Sequence, residues 1–272
     1  MRAMSPTRAA CEKLFIWRAA RGKAFQNIFA EWSRRMDLQN RVTVITGATG
    51  GLGRVAAQTF AKRGARLALA ATNEERLQAL ARELALPDER LLLYAANLQD
   101  ETPMREFARA VSEKFGRAEI LLQFIGGWTG GKTIAEFEAR ALTAMLAQHV
   151  WATWYLLQAF VPQLVANQWG RVLIVSSPSA QQPRAKSAPY AAAKAAQENL
   201  ILTLAQELKG LGVTANILQV QTIDAQHERD AAPAPKNANW TTPEEIVAAL
   251  LYLCSDAAHI VNGARLPLFG GG

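Results

Sequence analysis

Short apolar runs alternate with longer amphipathic stretches along most of the chain, from residue 41 onward. The apolar runs are Arg41–Thr46, Arg66–Ala71, Leu91–Ala95, Ile120–Phe124, Val172–Val175 and Val213–Leu218. Helical patterns between them occupy Leu52–Arg63, Glu74–Leu84, Arg140–Ala166 and Ala188–Lys209. Buried parallel strands have continuous apolar sequences and need helical crossovers. The alternation therefore predicts an α/β fold, a single doubly wound parallel sheet with helices on both faces in three layers.

One long stretch, Gln219–Thr242, interrupts this alternation and contains two prolines. It precedes Pro243-Glu244-Glu245, which is typical of a helix start. Loops of this length inside a compact domain are more often lids over a site than disordered segments. We therefore expect this loop to shape a ligand pocket.

Composition limits the classes of protein that the chain can belong to. The 272 residues are 50% hydrophobic and 19% charged, which is ordinary for a globular protein and excludes fibrous or mostly disordered classes. No uninterrupted apolar run reaches the ~18 residues of a membrane-spanning helix. Two cysteines without a CxxC pair, and three scattered histidines, give no basis for a disulfide framework or a metal site.

The positive charge is concentrated at the start of the chain. Residues 1–35 contain eight basic and two acidic residues, which accounts for +6 of the formal net charge of +7. We therefore expect a basic N-terminal extension at 1–35, one folded α/β domain at 36–272, and no nucleic-acid-binding face. The extension is an amphipathic helix for a membrane surface or a partner, a targeting segment, or a non-native addition. Charged residues interrupt every candidate secretory core, so a cytoplasmic protein is expected.

A glycine-rich segment links the first predicted strand to the first predicted helix. Thr46–Gly53 reads TGATGGLG, with glycines at positions that allow a tight turn and a close approach of a pyrophosphate. The helix that follows would offer free N–H groups and the positive end of its dipole. This context predicts a dinucleotide-binding loop.

A second group of residues carries acid–base chemistry. Tyr190 and Lys194 are four residues apart on one predicted helix, so both face the same side. Ser177 follows a predicted strand, thirteen residues before Tyr190. Tyrosine is a poor acid or base at its free pKa of about 10, but a neighbouring ammonium would lower that pKa. We expect Tyr190 to exchange the proton and Ser177 to hydrogen-bond the substrate oxygen.

Together these motifs resemble the short-chain dehydrogenase/reductase family. TGATGGLG fits its TGxxxGxG loop, Tyr190-Ala-Ala-Ala-Lys194 fits its YxxxK pair, and Ser177 matches its serine. The resemblance extends from Leu38 to the terminal glycines. It implies a Rossmann fold and hydride transfer between a nicotinamide cofactor and a small carbonyl or alcohol substrate, with Lys194 also holding the nicotinamide ribose. The cofactor-binding residues implied are Gly47, Thr49, Gly51, Leu52, Gly53, Thr72, Asn97, Leu98, Gly126, Tyr190, Lys194 and Ile223.

Several positions depart from the family pattern. His149 replaces the asparagine that is the family's fourth catalytic residue, and Asn97 replaces an aspartate. The family's NNAG is here Gln123-Phe124-Ile125-Gly126, and its Pro-Gly after the sixth strand is Val220-Gln221. His149 either supports a proton relay or is simply a buried histidine. The pattern favours an active, divergent enzyme, and the alternative is a catalytically silent cofactor-binding regulatory protein.

The run 126–131 reads GGWTGG and is similar to a GGWxGG segment of dihydropteridine reductase, another family member. It makes pteridine reduction an alternative activity. Trp128 follows the carboxyl end of a predicted strand, where ligands bind in such sheets. Its indole either stacks on a flat substrate or simply packs against the protein.

Cofactor choice depends on the end of the second predicted strand. Family members specific for NAD place an acidic residue there to bind the ribose 2′-hydroxyl, but this chain has Ala71 followed by Thr72. Without an acid to repel a 2′-phosphate, NADP(H) is the expected cofactor and NAD(H) is the alternative.

The predicted helix Arg140–Ala166 is rich in aromatic residues, among them Trp151, Trp154, Tyr155 and Phe160. Exposed apolar patches of this kind usually mark interfaces. The family resemblance implies a homodimer or homotetramer with closed symmetry. The alternative is that these aromatic side chains all turn inward onto the sheet.

Overall fold

A computed structural model describes residues 38–269, in which seven parallel strands form one sheet. The strands are β1 (Val42–Thr46), β2 (Arg66–Ala71), β3 (Leu91–Ala95), β4 (Ile120–Gln123), β5 (Gly170–Ser176), β6 (Val213–Gln219) and β7 (Arg265–Pro267). Their order is β3-β2-β1-β4-β5-β6-β7, so the winding reverses between β1 and β4. The predicted doubly wound sheet is confirmed, and ligands bind at the point of reversal in such sheets. The predicted extension at 1–35 lies outside the described residues.

Helices cover both faces of the sheet. They are α1 (Gly51–Lys62), α2 (Glu74–Leu84), α3 (Glu101–Phe115), α4 (Ala139–Leu146), α5 (Ala152–Ala166), α6 (Ala188–Glu207), α7 (Glu228–Ala231) and α8 (Pro243–Cys254). On one face α3, α5 and α6 share a core with the strands, to which they contribute Phe107, Phe160 and Ile201. On the other face α1 packs against α2 and α8. Within residues 38–269, no helix is long and apolar enough to cross a membrane.

The predicted helix Arg140–Ala166 is interrupted in the structure. A turn of π-helix at Ala147–Trp151 separates α4 from α5. Within this turn the Thr153 hydroxyl donates to the His149 carbonyl at 2.6 Å, and the His149 ring is held by the Gly127 carbonyl at 3.0 Å. Such single π turns often occur at functional sites. The chain is helical from Ala139 to Ala166, as the pattern predicted, and the π turn lies at the segment that carries a candidate catalytic residue.

The aromatic residues of this region do not share one environment. Phe160 is fully buried and packs edge-on against Phe107, with ring centroids 5.8 Å apart. Trp151 and Trp154 remain 49% and 42% exposed. The expectation of exposure was wrong for Phe160, because its position on α5 faces the sheet. The two tryptophans leave an apolar surface on the outside of α5.

The helix predicted at Ala188–Lys209 ends two residues earlier, at Glu207. Gly210 and Gly212 follow with φ angles of +78° and +74°. These are left-handed conformations that glycine adopts at helix ends without steric cost. The long α6 therefore keeps Tyr190 and Lys194 on one continuous helix, as the sequence predicted.

Candidate active site

The glycine-rich loop turns tightly between β1 and α1. Gly47 has φ +71°, and a Cβ atom there would lie 2.8 Å from the Phe124 carbonyl carbon. A Cβ at Gly53 would lie 2.3 Å from the Gly47 carbonyl oxygen. No side chain caps the N-terminus of α1, which begins at Gly51. The loop therefore leaves backbone N–H groups and a positive helix end open to an anion, as a pyrophosphate requires.

Two adjoining cavities lie at the carboxyl ends of the strands. They have volumes of about 370 and 210 Å³. The residues common to both cavities are Gly47, Gly50, Phe124, Ile125 and Gly126. The larger cavity contains the residues with acid–base chemistry, and the smaller lies beside the end of β2. Two lobes joined over a glycine-rich loop fit the two halves of a dinucleotide.

All twelve predicted cofactor-binding residues line one of these cavities. Gly51, Leu52, Gly53, Tyr190, Lys194 and Ile223 line the larger one; Thr49, Thr72, Asn97 and Leu98 line the smaller one; Gly47 and Gly126 line both. Of the predicted catalytic residues, His149 lines the larger cavity with Tyr190 and Lys194. Ser177 is buried directly behind it and hydrogen-bonds Tyr190. The structure thus brings all the predicted site residues together, and their roles stay predictions.

Tyr190 lines the larger cavity, and Ser177 is its buried hydrogen-bond partner. Ser177 follows β5 and its Oγ accepts a hydrogen bond from the Ser179 N–H at 3.2 Å. Burial raises the pKa of Tyr190 above its ordinary value of 10.0, and the hydrogen bond with Ser177 only partly opposes this shift. The predicted lowering of the Tyr190 pKa by Lys194 is therefore not found. The reason lies in the contacts of the lysine.

Two acceptors hold the Lys194 ammonium. Its Nζ donates to the Val175 carbonyl at 2.8 Å and to Oε1 of Gln197 at 2.9 Å. The side chain is only 6% exposed. Burial lowers the pKa of Lys194 to about 7, although the nearby Glu198 carboxylate acts in the opposite direction. Lys194 therefore changes its charge near neutral pH.

His149 is buried at the inner wall of the larger cavity. Its Nε2 donates to the Gly127 carbonyl at 3.0 Å, and its ring meets the Tyr190 ring edge-on with centroids 5.6 Å apart. Among the described residues, its Nδ1 has no hydrogen-bond partner. Burial and the charge of Lys194 lower the pKa of His149 to about 3. His149 is thus neutral at working pH, and it is bonded to the 126–131 loop rather than to Lys194.

Sequence reasoning missed a group of buried polar residues behind Lys194. They are Thr46 on β1, Gln123 on β4, Thr153 on α5 and Gln197 on α6. Hydrogen bonds connect them into one chain that ends at Lys194. One signal was available, because Gln197 lies three residues after Lys194 and so shares its helix face.

Sequence reasoning also missed two arginines near the smaller cavity. Arg54 on α1 and Arg76 on α2 line a further cavity of about 280 Å³ together with Thr49, which the smaller cavity shares. Arg54 is paired with Glu83 at 2.5 Å. Within residues 38–269, the Arg76 guanidinium makes no hydrogen bond or ion pair. Arg76 therefore places positive charge near the end of β2, five residues after Ala71.

Two loops border the larger cavity. Trp128 lines its edge and is 66% exposed, and the loop that carries it is fixed by a 2.8 Å bond from the Gly131 N–H to the Lys186 carbonyl. The second loop, Gln219–Thr242, is ordered by the buried Asp224, which accepts from two backbone N–H groups at the start of α7. Its Ile223 lines the cavity. The loop therefore has the position expected of a lid.

Comparison with known proteins agrees with this geometry. Residues 41–236 match the family model described as short chain dehydrogenase. The chain is 29% identical over 253 residues to 1,6-dihydroxycyclohexa-2,4-diene-1-carboxylate dehydrogenase of Pseudomonas putida, covering 86% of this chain and 93% of that protein. It is 28% identical to D-threitol dehydrogenase of Mycolicibacterium smegmatis, covering 90% and 97%.

A solved structure is similar over the whole domain. It is L-sorbose reductase from Gluconobacter frateurii complexed with NADPH and L-sorbose, with a TM-score of 0.77 and 26% identity, covering 87% of this chain and 97% of that one. The parallel sheet, the glycine-rich loop and the family match agree with one another. The chain belongs to the short chain dehydrogenase family and is an NAD(P)-dependent oxidoreductase that acts on CH–OH and C=O groups.

Proposed function

We propose that the protein interconverts a small carbonyl compound and its alcohol, with NADP(H) as the preferred cofactor and Tyr190 as the general acid and base. The observation that carries this proposal is that Tyr190 and Lys194 line the cavity that begins at the glycine-rich loop, with Ser177 hydrogen-bonded to Tyr190. A bound nicotinamide cofactor supplies the hydride for reduction and accepts it in the reverse direction.

The raised pKa of Tyr190 favours the proton-donating role. A phenol that stays protonated at neutral pH can give its proton to the oxygen of a carbonyl as negative charge develops there. The Ser177 hydroxyl is bonded to the same phenol, so it can bond the same substrate oxygen and stabilise that charge. Lys194 lines the cavity and carries a positive charge below about pH 7, which stabilises the phenolate left after proton transfer.

The residues of the smaller cavity support NADP(H) over NAD(H). Ala71 and Thr72 close the end of β2 without a carboxylate, so these two residues place no negative charge against a 2′-phosphate. Arg76 and Arg54 lie across Thr49 from this point and provide positive charge. NAD(H) remains the alternative cofactor, and relative kcat/KM values for NADPH and NADH distinguish the two.

The exposed Trp128 favours a substrate with a flat ring. An indole that is two-thirds exposed at the cavity edge has an open face on which a ring can stack. Pteridine reduction therefore stays an alternative activity. The stacking role of Trp128 is tested by measuring kcat/KM of wild type and Trp128→Ala on a panel of cyclic and open-chain carbonyl compounds. Only the cyclic substrates should have a lower kcat/KM with Trp128→Ala.

A silent cofactor-binding protein of the same fold is the second candidate. The observation in its favour is that Nε2 of His149 bonds the Gly127 carbonyl and the His149 carbonyl accepts from Thr153, which leaves only Nδ1 of the ring for a proton relay. Saturable NADPH binding without turnover on any carbonyl compound of the panel would favour this second function.

The Tyr190→Phe variant tests the proposed chemistry. Loss of the phenol should lower kcat by about 10²-fold or more, whereas the dissociation constant for NADPH should stay nearly unchanged. Tyr94→Phe is the matched control, because Tyr94 is on β3 and packs against Phe107 away from the cavities. A Tyr190→Phe protein that keeps wild-type kcat would show that another group transfers the proton.

A further inference from the structure

A chain of buried hydrogen bonds runs from β1 to the active-site lysine. At one end, Oε1 of Gln123 accepts from the Ile125 N–H at 2.6 Å and from the Thr46 hydroxyl at 3.1 Å. Its Nε2 donates to Oγ1 of Thr153 at 3.2 Å. At the other end, Gln197 donates from Nε2 to the same Oγ1 at 2.8 Å and accepts from Lys194 at 2.9 Å. The chain crosses two strands and two helices.

The chemistry of the two ends fixes the orientation of every member. A backbone N–H can only donate, so the oxygen of the Gln123 amide must face Ile125 and its nitrogen must face Thr153. An ammonium can only donate, so the oxygen of the Gln197 amide must face Lys194. Oγ1 of Thr153 then accepts from both amides, and its proton goes to the His149 carbonyl at 2.6 Å. Thr153 thus uses its full hydrogen-bonding capacity.

We propose that Gln197, held in one orientation by Thr153, is a positioning residue that keeps Lys194 charged and directs its ammonium toward the active site. This role rests on the proposed function of Lys194, and it assigns a task to a residue outside the Ser177, Tyr190 and Lys194 set. An ammonium has three N–H groups. The Val175 carbonyl and the Gln197 amide accept two of them, and Lys194 also lines the larger cavity. The third N–H is left for the cavity.

The surroundings of Lys194 make a neutral acceptor important. The charged and titratable groups around it are His149 from the π turn, Tyr190 and Glu198 from α6, and Arg265 from β7. Glu198 is fully engaged, because Arg265 donates to Oε2 at 2.6 Å and Gln219 to Oε1 at 3.0 Å. His149 is neutral, so it adds no second positive charge beside the ammonium. The Gln197 and Val175 oxygens are therefore what directly offsets the loss of water around the ammonium.

Two substitutions at Gln197 should move the titration of Lys194 in opposite directions. Gln197→Leu removes the acceptor at nearly constant volume, so the pKa of Lys194 should fall by about one unit or more. Gln197→Glu places a carboxylate at the same position, so that pKa should rise by at least as much. Gln163→Leu on α5 is the matched control, because the Gln163 oxygen is buried without a partner among the described residues. It should leave the titration of Lys194 unchanged.

The measurement is an NMR titration of lysine labelled with carbon-13 at Cε in the full chain, with Lys194→Met to assign the signal. The proposal also expects the pH above which kcat for reduction falls to move with each variant, downward for Leu and upward for Glu. A merely structural role would lower Tm without opposite shifts. Equal midpoints in wild type, Gln197→Leu and Gln197→Glu, or shifts of the same sign, would overturn the proposal.

The test of Gln197 can be separated from misfolding of a variant and from a failure of the proposed function. If Gln197→Leu does not fold, Thr153→Val releases the Gln197 amide from its partner and should also lower the titration midpoint of Lys194; an unchanged midpoint contradicts the proposal. The NMR titration needs no substrate, so it tests Gln197 even if no carbonyl compound is reduced. A failure of the proposed function would appear instead as absent turnover with the opposite shifts intact.

Discussion

His149 should make the folded protein sensitive to mild acid. The side chain is 1% exposed, and its pKa is lowered from 6.5 to about 3 by burial and by the charge of Lys194. In the unfolded chain the imidazole is solvated and takes up a proton as pH falls through about 6.5. The folded protein takes up the same proton only near pH 3. The unfolded state therefore binds more protons between these values, and stability falls as pH falls.

The size of the loss follows from the two pKa values. In the unfolded chain the imidazole has a pKa of about 6.5, so pH 5 is about 1.5 units below that pKa. Each unit corresponds to ~1.4 kcal/mol of free energy. The free energy of unfolding should therefore be about 2 kcal/mol smaller at pH 5 than at pH 7 because of His149 alone. His149 in the folded protein stays neutral at both pH values, so the protonation of the unfolded chain sets this figure.

Urea unfolding at pH 7 and pH 5 measures this difference. His149→Gln removes the titration but keeps a side-chain N–H that can reach the Gly127 carbonyl. His259→Gln is the matched control, because His259 is exposed. From pH 7 to pH 5, the free energy of unfolding of wild type and of the control should each fall by about 2 kcal/mol more than that of His149→Gln. Equal losses in all three proteins would refute the assignment of the acid sensitivity to His149.

Three further predictions concern the site and the surface. Gly126→Ala should lower Tm and weaken NADPH binding, because its Cβ would lie 2.5 Å from Cε1 of the buried His149. Gly127→Ala is the control and should have the Tm of wild type, because its Cβ would contact only the flexible end of the Gln148 side chain. Ala71→Asp should shift kcat/KM from NADPH toward NADH, and a wild type that already prefers NADH contradicts this. Trp154 lines an apolar groove between α5 and α6, which we expect to be an interface of a homodimer or homotetramer. Trp154→Glu should therefore lower the average molar mass measured by light scattering, and an unchanged molar mass excludes this interface.

The fold could be predicted because its strands are buried on both sides. Every residue of β1, β4 and β6 is buried, so these strands are mostly apolar, with polar residues such as Gln123 and Gln219 at their carboxyl ends. β7 has no counterpart among the predicted elements, since its three residues include an arginine and a proline and lie partly exposed at the sheet edge. The π turn at Ala147–Trp151 could not be predicted either. It carries His149, whose ring bonds the Gly127 carbonyl 22 residues earlier, and a sequence pattern does not indicate a contact of this range.

The location of the site could be predicted, but the charges within it could not. The motif residues lie at the carboxyl ends of parallel strands, which meet at one edge of the sheet, so their order along the chain was enough to bring them together. The spacing of Tyr190 and Lys194 shows only that both face one side of α6. The spacing does not show whether the lysine lowers the pKa of the tyrosine, because that depends on burial and on the acceptors around the ammonium. Here the acceptors of Lys194 are the Val175 carbonyl at the end of β5 and the Gln197 amide on α6. The YxxxK motif therefore determines which groups meet, while residues outside the motif determine the pH range in which they can react.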